Sequence, residues 1–240
     1  MTTKQPNILV LRHEKCSSLG MLKNVVKQNN ICVKYLDLSE NEKLFQPITD
    51  YSHIVVLGGA MSAYEIEKHS FLSYEFELIE TAIAARIPMV GICLGSQILA
   101  KVLGATVYRG EAGREAGWCE IQLLDSARND ALLKDFPKQF KVFQSHQDTF
   151  EIPANCVHLA KSDRYPNQAF RYEDFVWAIQ FHLEMNQGVI NDCASVIKQE
   201  LKDSKIHETT VEQMIEEAKR FSLMVQPLAD RFMQQFLQVG

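Results

Sequence analysis

Gly91-Ile92-Cys93-Leu94-Gly95-Ser96-Gln97 decides the reading of this chain. The heptapeptide follows an apolar run, Ile87-Pro88-Met89-Val90, and leads into Ile98-Leu99-Ala100-Lys101-Val102-Leu103. An apolar strand, a sharp turn with glycine on both sides of a nucleophile and then a helix make the pattern of a nucleophile elbow, with cysteine in the usual place of serine. Such a turn forces its central residue into a strained backbone conformation, and the flanking positions are glycine because a Cβ there would collide with its neighbours. The thiol of Cys93 is thereby expected at the carboxyl edge of a sheet and at the N-terminus of a helix, whose partial positive charge favours thiolate.

Working outward, Asn7–Arg12, Ile31–Leu36 and His53–Leu57 read as buried strands, the last ending at Gly58-Gly59. Leu19–Gln28 and Phe71–Ala85 read as helices, and Pro88–Ile92 as the strand that feeds the elbow. Continuous apolar strands alternating with helices predict an α/β fold with a mostly parallel central sheet and flanking helices. Beyond the elbow helix the cadence changes. Thr106–Arg109, Cys119–Leu124, Lys141–Gln144, Val157–Ala160, Gln168–Tyr172 and Val176–Phe181 read as short strands joined by turns. Gly188–Leu201 reads as one helix, and Val211, Met214, Ile215, Ala218, Phe221 and Val225 recur at helical spacing. Pro227 is expected to break that helix, with Leu228, Phe232 and Phe236 starting another. The expected organisation is one domain over residues 1–204 and a helical extension over 205–240, the extension packing on its own domain rather than capping the site or a partner.

Bulk properties narrow the functional classes. With 240 residues, 46% hydrophobic and 23% charged, the chain suits a soluble globular protein with one sizeable core. A net charge of −5 argues against a nucleic-acid or anionic-membrane surface. Glu80 and Arg86 interrupt the longest candidate for a membrane span, and Met1–Pro6 lacks the apolar core of a secretion signal. Six cysteines, at 16, 32, 93, 119, 156 and 193, show no C-x-x-C pair and no disulfide cadence. They read as reduced thiols of a cytoplasmic protein, five of them in packing roles. No His/Cys cluster has the spacing of metal ligands, so neither a metal nor a cofactor is expected. Trp118 and Trp177 read as core, and His13-Glu14 as a surface turn.

A cysteine nucleophile needs a proton-transfer partner, which in turn needs an orienting carboxylate. Gln180-Phe181-His182-Leu183-Glu184 supplies both, since residues two apart on an extended segment project to the same side. The acid follows the histidine by two residues, whereas hydrolases with a nucleophile elbow place it before. His146 is a rival base, ranked below His182.

Together, G-I-C-L-G-S-Q and the late F-H-x-E resemble the class I (triad) glutamine amidotransferases, and among them free-standing proteins similar to the glutaminase domain of GMP synthetase. Leu57-Gly58-Gly59-Ala60-Met61-Ser62 resembles the family's oxyanion loop, with Ala60 in place of the usual proline. Arg109-Gly110 through Gly117-Trp118, and Ser145-His146-Gln147-Asp148-Thr149-Phe150 with Pro153, resemble two further family segments. The resemblance covers residues 50–185 clearly and the first fifty loosely. Leu183 stands where many members have proline, and Ser96 where many have histidine.

The resemblance implies a flavodoxin-like sheet and a triad of Cys93, His182 and Glu184. It also implies an oxyanion hole from the backbone N–H groups of Gly59 and Leu94, and substrate contacts from Gln97, Ser145 and His146. The implied reaction is attack of Cys93 on the γ-carboxamide of glutamine, with ammonia leaving and a γ-glutamyl thioester then hydrolysed. No ATP-binding loop occurs in the sequence. Three readings of function follow: a glutaminase-type subunit feeding a separate synthetase, a γ-glutamyl peptide hydrolase acting alone, and a catalytically idle regulatory module. The expected partner is a small molecule, glutamine or a γ-glutamyl compound.

Overall fold

Nine strands form the central sheet, in the order β2-β1-β3-β4-β11-β10-β9-β6-β7. The computed structural model describes residues 6–203 and 209–240. Its parallel half comprises β1 (Asn7–Arg12), β2 (Cys32–Asp37), β3 (His53–Val56), β4 (Met89–Ile92) and β11 (Val176–Ile179). The inner strands β1, β3, β4 and β11 are apolar throughout their centres because helices cover both faces, whereas the edge strand β2 carries Lys34 and is partly exposed. The other half is antiparallel: β6 (Glu115–Leu123), β7 (Gln139–His146), β9 (Cys156–Lys161) and β10 (Ala169–Tyr172). A separate ribbon pairs β5 (Val107–Arg109) with β8 (Asp148–Phe150), a strand too short for the sequence pattern to reveal.

Two apolar layers flank the sheet. On one face α2 (Phe71–Ala84) and α3 (Leu94–Val102) bury Leu72, Ile79, Ile98 and Leu99 against Leu9, Ile54 and Met89. On the other, α1 (Lys23–Gln28), α4 (Gln187–Asp192), α5 (Ala194–Asp203) and α6 (Val211–Phe236) close over Ile8, Val10, Val55, Trp118 and Phe143. Both tryptophans are core residues. This is the α/β architecture the sequence predicts. The expected boundary between residues 204 and 205 lies outside the described residues, as do Met1–Gln5.

Four expectations are corrected. Pro227 does not break the last helix, which runs unbroken from Val211 to Phe236. The carbonyl that Pro227 leaves without a helical donor belongs to the turn of Leu223, which is exposed, so water can satisfy it, while Val225, Ala229, Phe232 and Met233 stay buried. The N-terminus of α6 is fixed by a capping box: Gln213 N–H donates to Thr210 Oγ1 at 3.2 Å and Thr210 N–H to Gln213 Oε1 at 2.9 Å. Gly188–Leu201 is two helices, α4 and α5, hinged at Cys193. The cysteines are not all thiols, because Cys16 and Cys193 form a disulfide with Cα atoms 5.2 Å apart. A separation of 177 residues leaves no local signature of that pairing. Finally, His13 is not in a surface turn: it is 1% exposed, at the carboxyl end of β1.

Candidate active site

The carboxyl ends of β1, β3, β4 and β11 meet at Cys93. Cys93 follows β4 directly and is the N-cap of α3, with φ +52° and ψ −110°. For a residue with a Cβ that conformation costs about 1–3 kcal/mol, and the surrounding bonds enforce it. Cys93 N–H donates to Ile179 O at 2.9 Å, while Cys93 O accepts from Ser96 N–H at 2.9 Å and from Ser96 Oγ at 2.6 Å. The two glycines of the elbow are required by space and not by torsion. A Cβ on Gly91 would lie 2.5 Å from Gly95 O, and one on Gly95 would lie 2.2 Å from Val56 O.

His182 reaches the same point from the end of β11. Its N–H bonds Phe143 O at 2.9 Å, and its ring stands edge-on to Phe143. Nδ1 donates to Glu184 Oε1 at 2.6 Å, and both side chains are buried. A Cβ placed on Gly58 would lie 3.2 Å from His182 Cε1, tighter than ordinary contact, and 3.5 Å from Cys93 Cβ, so a side chain there would press on the imidazole. Burial alone would discharge His182, but the Glu184 carboxylate and the Cys93 sulfur carry its pKa well above the ordinary imidazole value. Cys119 and Cys156, in contrast, are pushed up to about 11 by burial and remain unreactive thiols at neutral pH.

Two more buried histidine–carboxylate pairs surround this centre. His146 Nε2 meets Glu115 Oε2 at 3.0 Å across the β6–β7 ladder, and its Nδ1 bonds Asp148 O at 2.9 Å. Burial would raise the Glu115 pKa, but His146, Ser162 and Gln168 hold it below the usual carboxylate value. His13 Nε2 lies 2.9 and 3.0 Å from the Glu75 oxygens, with Nδ1 3.3 Å from Gly58 O. Of the three histidines, only His182 keeps a ring nitrogen without a hydrogen-bond partner, Nε2. This separates the candidate base from its rivals.

All eight residues singled out in the sequence line one continuous depression. Its larger lobe, about 570 Å³, is bordered by Gly59, Cys93, Leu94, Gln97, Ser145 and His146. A smaller recess of about 50 Å³ lies on the His182–Glu184 side, walled by Glu14, Cys16, Cys193 and Glu200. The N–H of Leu94, in the first turn of α3, has no acceptor within its helix. Gln97 is committed through Nε2 to Asp148 O at 3.2 Å and Gln180 Oε1 at 3.1 Å. Ser145 Oγ donates to Glu200 Oε2 at 2.7 Å and accepts from Arg114 at 3.3 Å, and its carbonyl faces Cys93 Sγ at 3.9 Å. Burial raises the pKa of Glu200 against the opposing pull of Arg114 and Ser145.

Sequence reasoning missed His13, Glu75, Arg114 and Glu200. His13 alone had a signal, because it ends a parallel strand at the edge that carries Gly58 and Cys93, where ligands bind in open α/β sheets. Arg114 lies within Arg109–Trp118, a segment already singled out for its resemblance but with no role given to the arginine, and Glu75 and Glu200 come from helices with no local pattern. Among the described residues no cluster of three His, Cys, Asp or Glu side chains could hold a metal ion, and no helix is long and apolar enough to cross a membrane.

Comparison with known proteins bears on the whole chain. The family profile described as glutamine amidotransferase class-I matches residues 17–204. A crystal structure of a glutamine amidotransferase from Thermotoga maritima superposes with a TM-score of 0.90 at 37% identity, covering 98% of this chain and 100% of that one. The glutamine amidotransferase-like protein YfeJ of Salmonella typhimurium is 27% identical over 80% of this chain and 82% of its own length. A glutamine-hydrolysing GMP synthase subunit of Pyrococcus abyssi is 35% identical, over 45% of this chain. That match spans 57% of the archaeal protein.

Proposed function

The chain belongs to the class I glutamine amidotransferase family, and we propose that it hydrolyses the γ-carboxamide of glutamine through a γ-glutamyl thioester on Cys93, giving glutamate and ammonia. The observation that carries this reading is His182 Nε2, which, alone among the ring nitrogens of the three buried histidine–carboxylate pairs, is taken by no carboxylate or carbonyl and lies beside Cys93, the ring being held by the Nδ1 bond to Glu184. In this scheme the Cys93 thiolate attacks the amide carbon, and the carbonyl oxygen becomes an oxyanion that accepts hydrogen bonds from the N–H groups of Gly59 and Leu94. The C–N bond breaks as His182 Nε2–H delivers its proton to the departing nitrogen. The same nitrogen then takes a proton from the water that attacks the thioester, and glutamate leaves. Glu184 keeps the proton of Nδ1 in place, so that Nε2 exchanges the other one.

The recess behind His182 favours ammonia as the leaving group. Walled by Cys16, Cys193 and Glu200, it is far smaller than the 570 Å³ lobe on the other side of Cys93 and suits a leaving group of about the size of water. By analogy with the GMP synthase relative of Pyrococcus abyssi, the acceptor of ammonia would be a separate synthetase. The Cys16–Cys193 disulfide removes the reduced-thiol argument for a cytoplasmic setting.

The test is a substrate panel with purified protein, in which glutamine and several γ-glutamyl peptides are compared with ammonia and glutamate both quantified. Hydrolysis of glutamine that disappears in Cys93→Ala and in His182→Ala, but survives in a folded His146→Ala, supports the scheme. Cleavage of peptides in preference to glutamine reassigns the enzyme to γ-glutamyl peptides. Inactivity of the wild type towards the whole panel leaves a regulatory module.

A further inference from the structure

His13 and Glu75 form a buried ion pair that the scheme above leaves unused. His13 is 1% exposed and Glu75 is fully buried. Both neighbours of the His13 ring are acceptors: the Glu75 carboxylate at Nε2 and the Gly58 carbonyl at Nδ1. A neutral imidazole has one N–H, so satisfying both requires the imidazolium. Consistently, burial would lower the His13 pKa, yet the Glu75 charge raises it. Taking both charges out of water is costly, so the arrangement is expensive to maintain.

What the pair grips is the Gly58–Gly59 peptide. Val56 of β3 sits opposite Leu11 of β1, and Leu57 N–H bonds Leu11 O at 3.0 Å, which brings Gly58 level with His13. The peptide is trans, so the carbonyl of Gly58 and the N–H of Gly59 point in opposite directions. With Gly58 O held toward His13, the Gly59 N–H is turned away from His13, toward the cavity that Gly59 shares with Cys93 and Leu94. A peptide between two glycines is also the easiest to rotate, since neither residue has a Cβ to oppose positive φ. Rotated by half a turn, it would present a carbonyl oxygen to the oxyanion where a donor is needed.

We propose that the His13–Glu75 pair is a clamp on the Gly58–Gly59 peptide that keeps the Gly59 N–H turned toward the reacting carbonyl. His13 and Glu75 are then positioning residues for oxyanion stabilisation, and this rests on the thioester scheme proposed above. The hydrogen bond from a cationic ring to Gly58 O also polarises the shared peptide and strengthens the N–H at its other end. Close packing supports the grip, because a Cβ on Gly59 would lie 2.8 Å from His13 Cβ.

The experiment compares His13→Leu, His13→Asn and Glu75→Gln with wild type in two reactions of Cys93. Iodoacetamide alkylates the sulfur without forming an oxyanion, whereas glutamine turnover forms one. Binding of a γ-aldehyde analogue of glutamate, which adds the sulfur at its carbonyl and places the resulting oxygen in the hole, reports the same contact without turnover. In His13→Leu, kcat and aldehyde affinity are expected to fall together by about 10²-fold, as for loss of one oxyanion donor. KM and the iodoacetamide rate should stay near wild type. His13→Asn, whose amide nitrogen takes nearly the place of Nδ1, should recover much of the loss, and Glu75→Gln should fall between. A folded His13→Leu that turns over like wild type overturns the clamp. So does a fall in alkylation equal to the fall in kcat, an asparagine variant no better than leucine, or a set of variants that all fail to fold. A wild type that hydrolyses no γ-glutamyl amide strikes instead at the scheme beneath the clamp.

Discussion

Substituting Gly95 by alanine tests how tightly the sulfur is placed. The new Cβ would lie 2.2 Å from Val56 O, 2.8 Å from Val56 C and 3.0 Å from Val56 Cβ, whereas ordinary contact begins at 3.4 Å. A gap of about 1.2 Å must therefore open between α3 and β3. The strand cannot yield, because Val56 is paired on both sides, with Leu11 of β1 and Gly91 of β4. The helix must lift instead, and Cys93 is its N-cap. Overpacking of this kind costs about 1–3 kcal/mol. For a chain of this size that lowers Tm by roughly 2–12 °C. Displacing the nucleophile by about 1 Å costs on the order of 10² in rate. The assay is kcat/KM for glutamine hydrolysis, measured well below the melting transition, beside a thermal melt. Gly104→Ala serves as control: at φ +86° with no heavy atom within 4 Å, it meets backbone strain but no collision. The control should lose about 1–2 kcal/mol of stability and no turnover. A folded Gly95→Ala with turnover within about threefold of wild type would refute the argument that this contact sets the position of the sulfur.

Three further outcomes follow from the structure. Cys193→Ser should lower the unfolding free energy by about 2–5 kcal/mol under oxidising conditions and change it little in excess dithiol, as denaturant titrations would read. His13 and His182 both have raised pKa values in the fold. Their stabilising contribution is therefore complete below about pH 6.5 and declines as pH rises through the folded values, so urea midpoints should fall on the alkaline side. In His13→Leu that alkaline decline should be shallower, and an unchanged slope would count against a charged His13. Phe232→Ala, which empties a fully buried site on α6 beside Phe136, should cost about 3–5 kcal/mol in one cooperative transition. A separate early loss of α6 helicity would show that the last helix is an appendage.

Much of the site was legible because its constraints are local. Gly91 and Gly95 flank Cys93 within five residues, and the reason for them is the collision that the structure measures at 2.5 and 2.2 Å. His182 and Glu184 lie two residues apart in the bend that follows β11, close enough along the chain for their spacing to suggest the Nδ1 bond even though the segment is not the extended one expected. The parts that were not legible depend on distance along the chain. Glu75 lies 62 residues from His13, Glu115 31 from His146 and Cys193 177 from Cys16. No periodicity connects such positions; only the converging ends of the strands do. Pro227 failed as a helix breaker for the complementary reason. Its local penalty is real, but the apolar residues on either side of it bury against the sheet and outweigh it.

The three histidine–carboxylate pairs differ in which ring nitrogen the carboxylate takes, and that choice separates chemistry from architecture. In His13 and His146 the carboxylate comes from another element and engages Nε2, at the tip of the side chain. Nδ1, nearer the backbone, is then left to hold a main-chain carbonyl, of Gly58 in one case and Asp148 in the other. Both rings are consumed in fixing loops. Glu184 is only two residues from His182 and reaches Nδ1, the near nitrogen, at 2.6 Å. The far nitrogen is thereby released toward Cys93. In this chain the acid adjacent in sequence leaves the tip of its imidazole open, as the proposed proton transfer requires, whereas the two acids brought from afar tie that tip down. On this argument, a carboxylate introduced within reach of His182 Nε2 should abolish the proposed glutamine hydrolysis, read as ammonia release, without disturbing either loop, even with Cys93 and Glu184 intact.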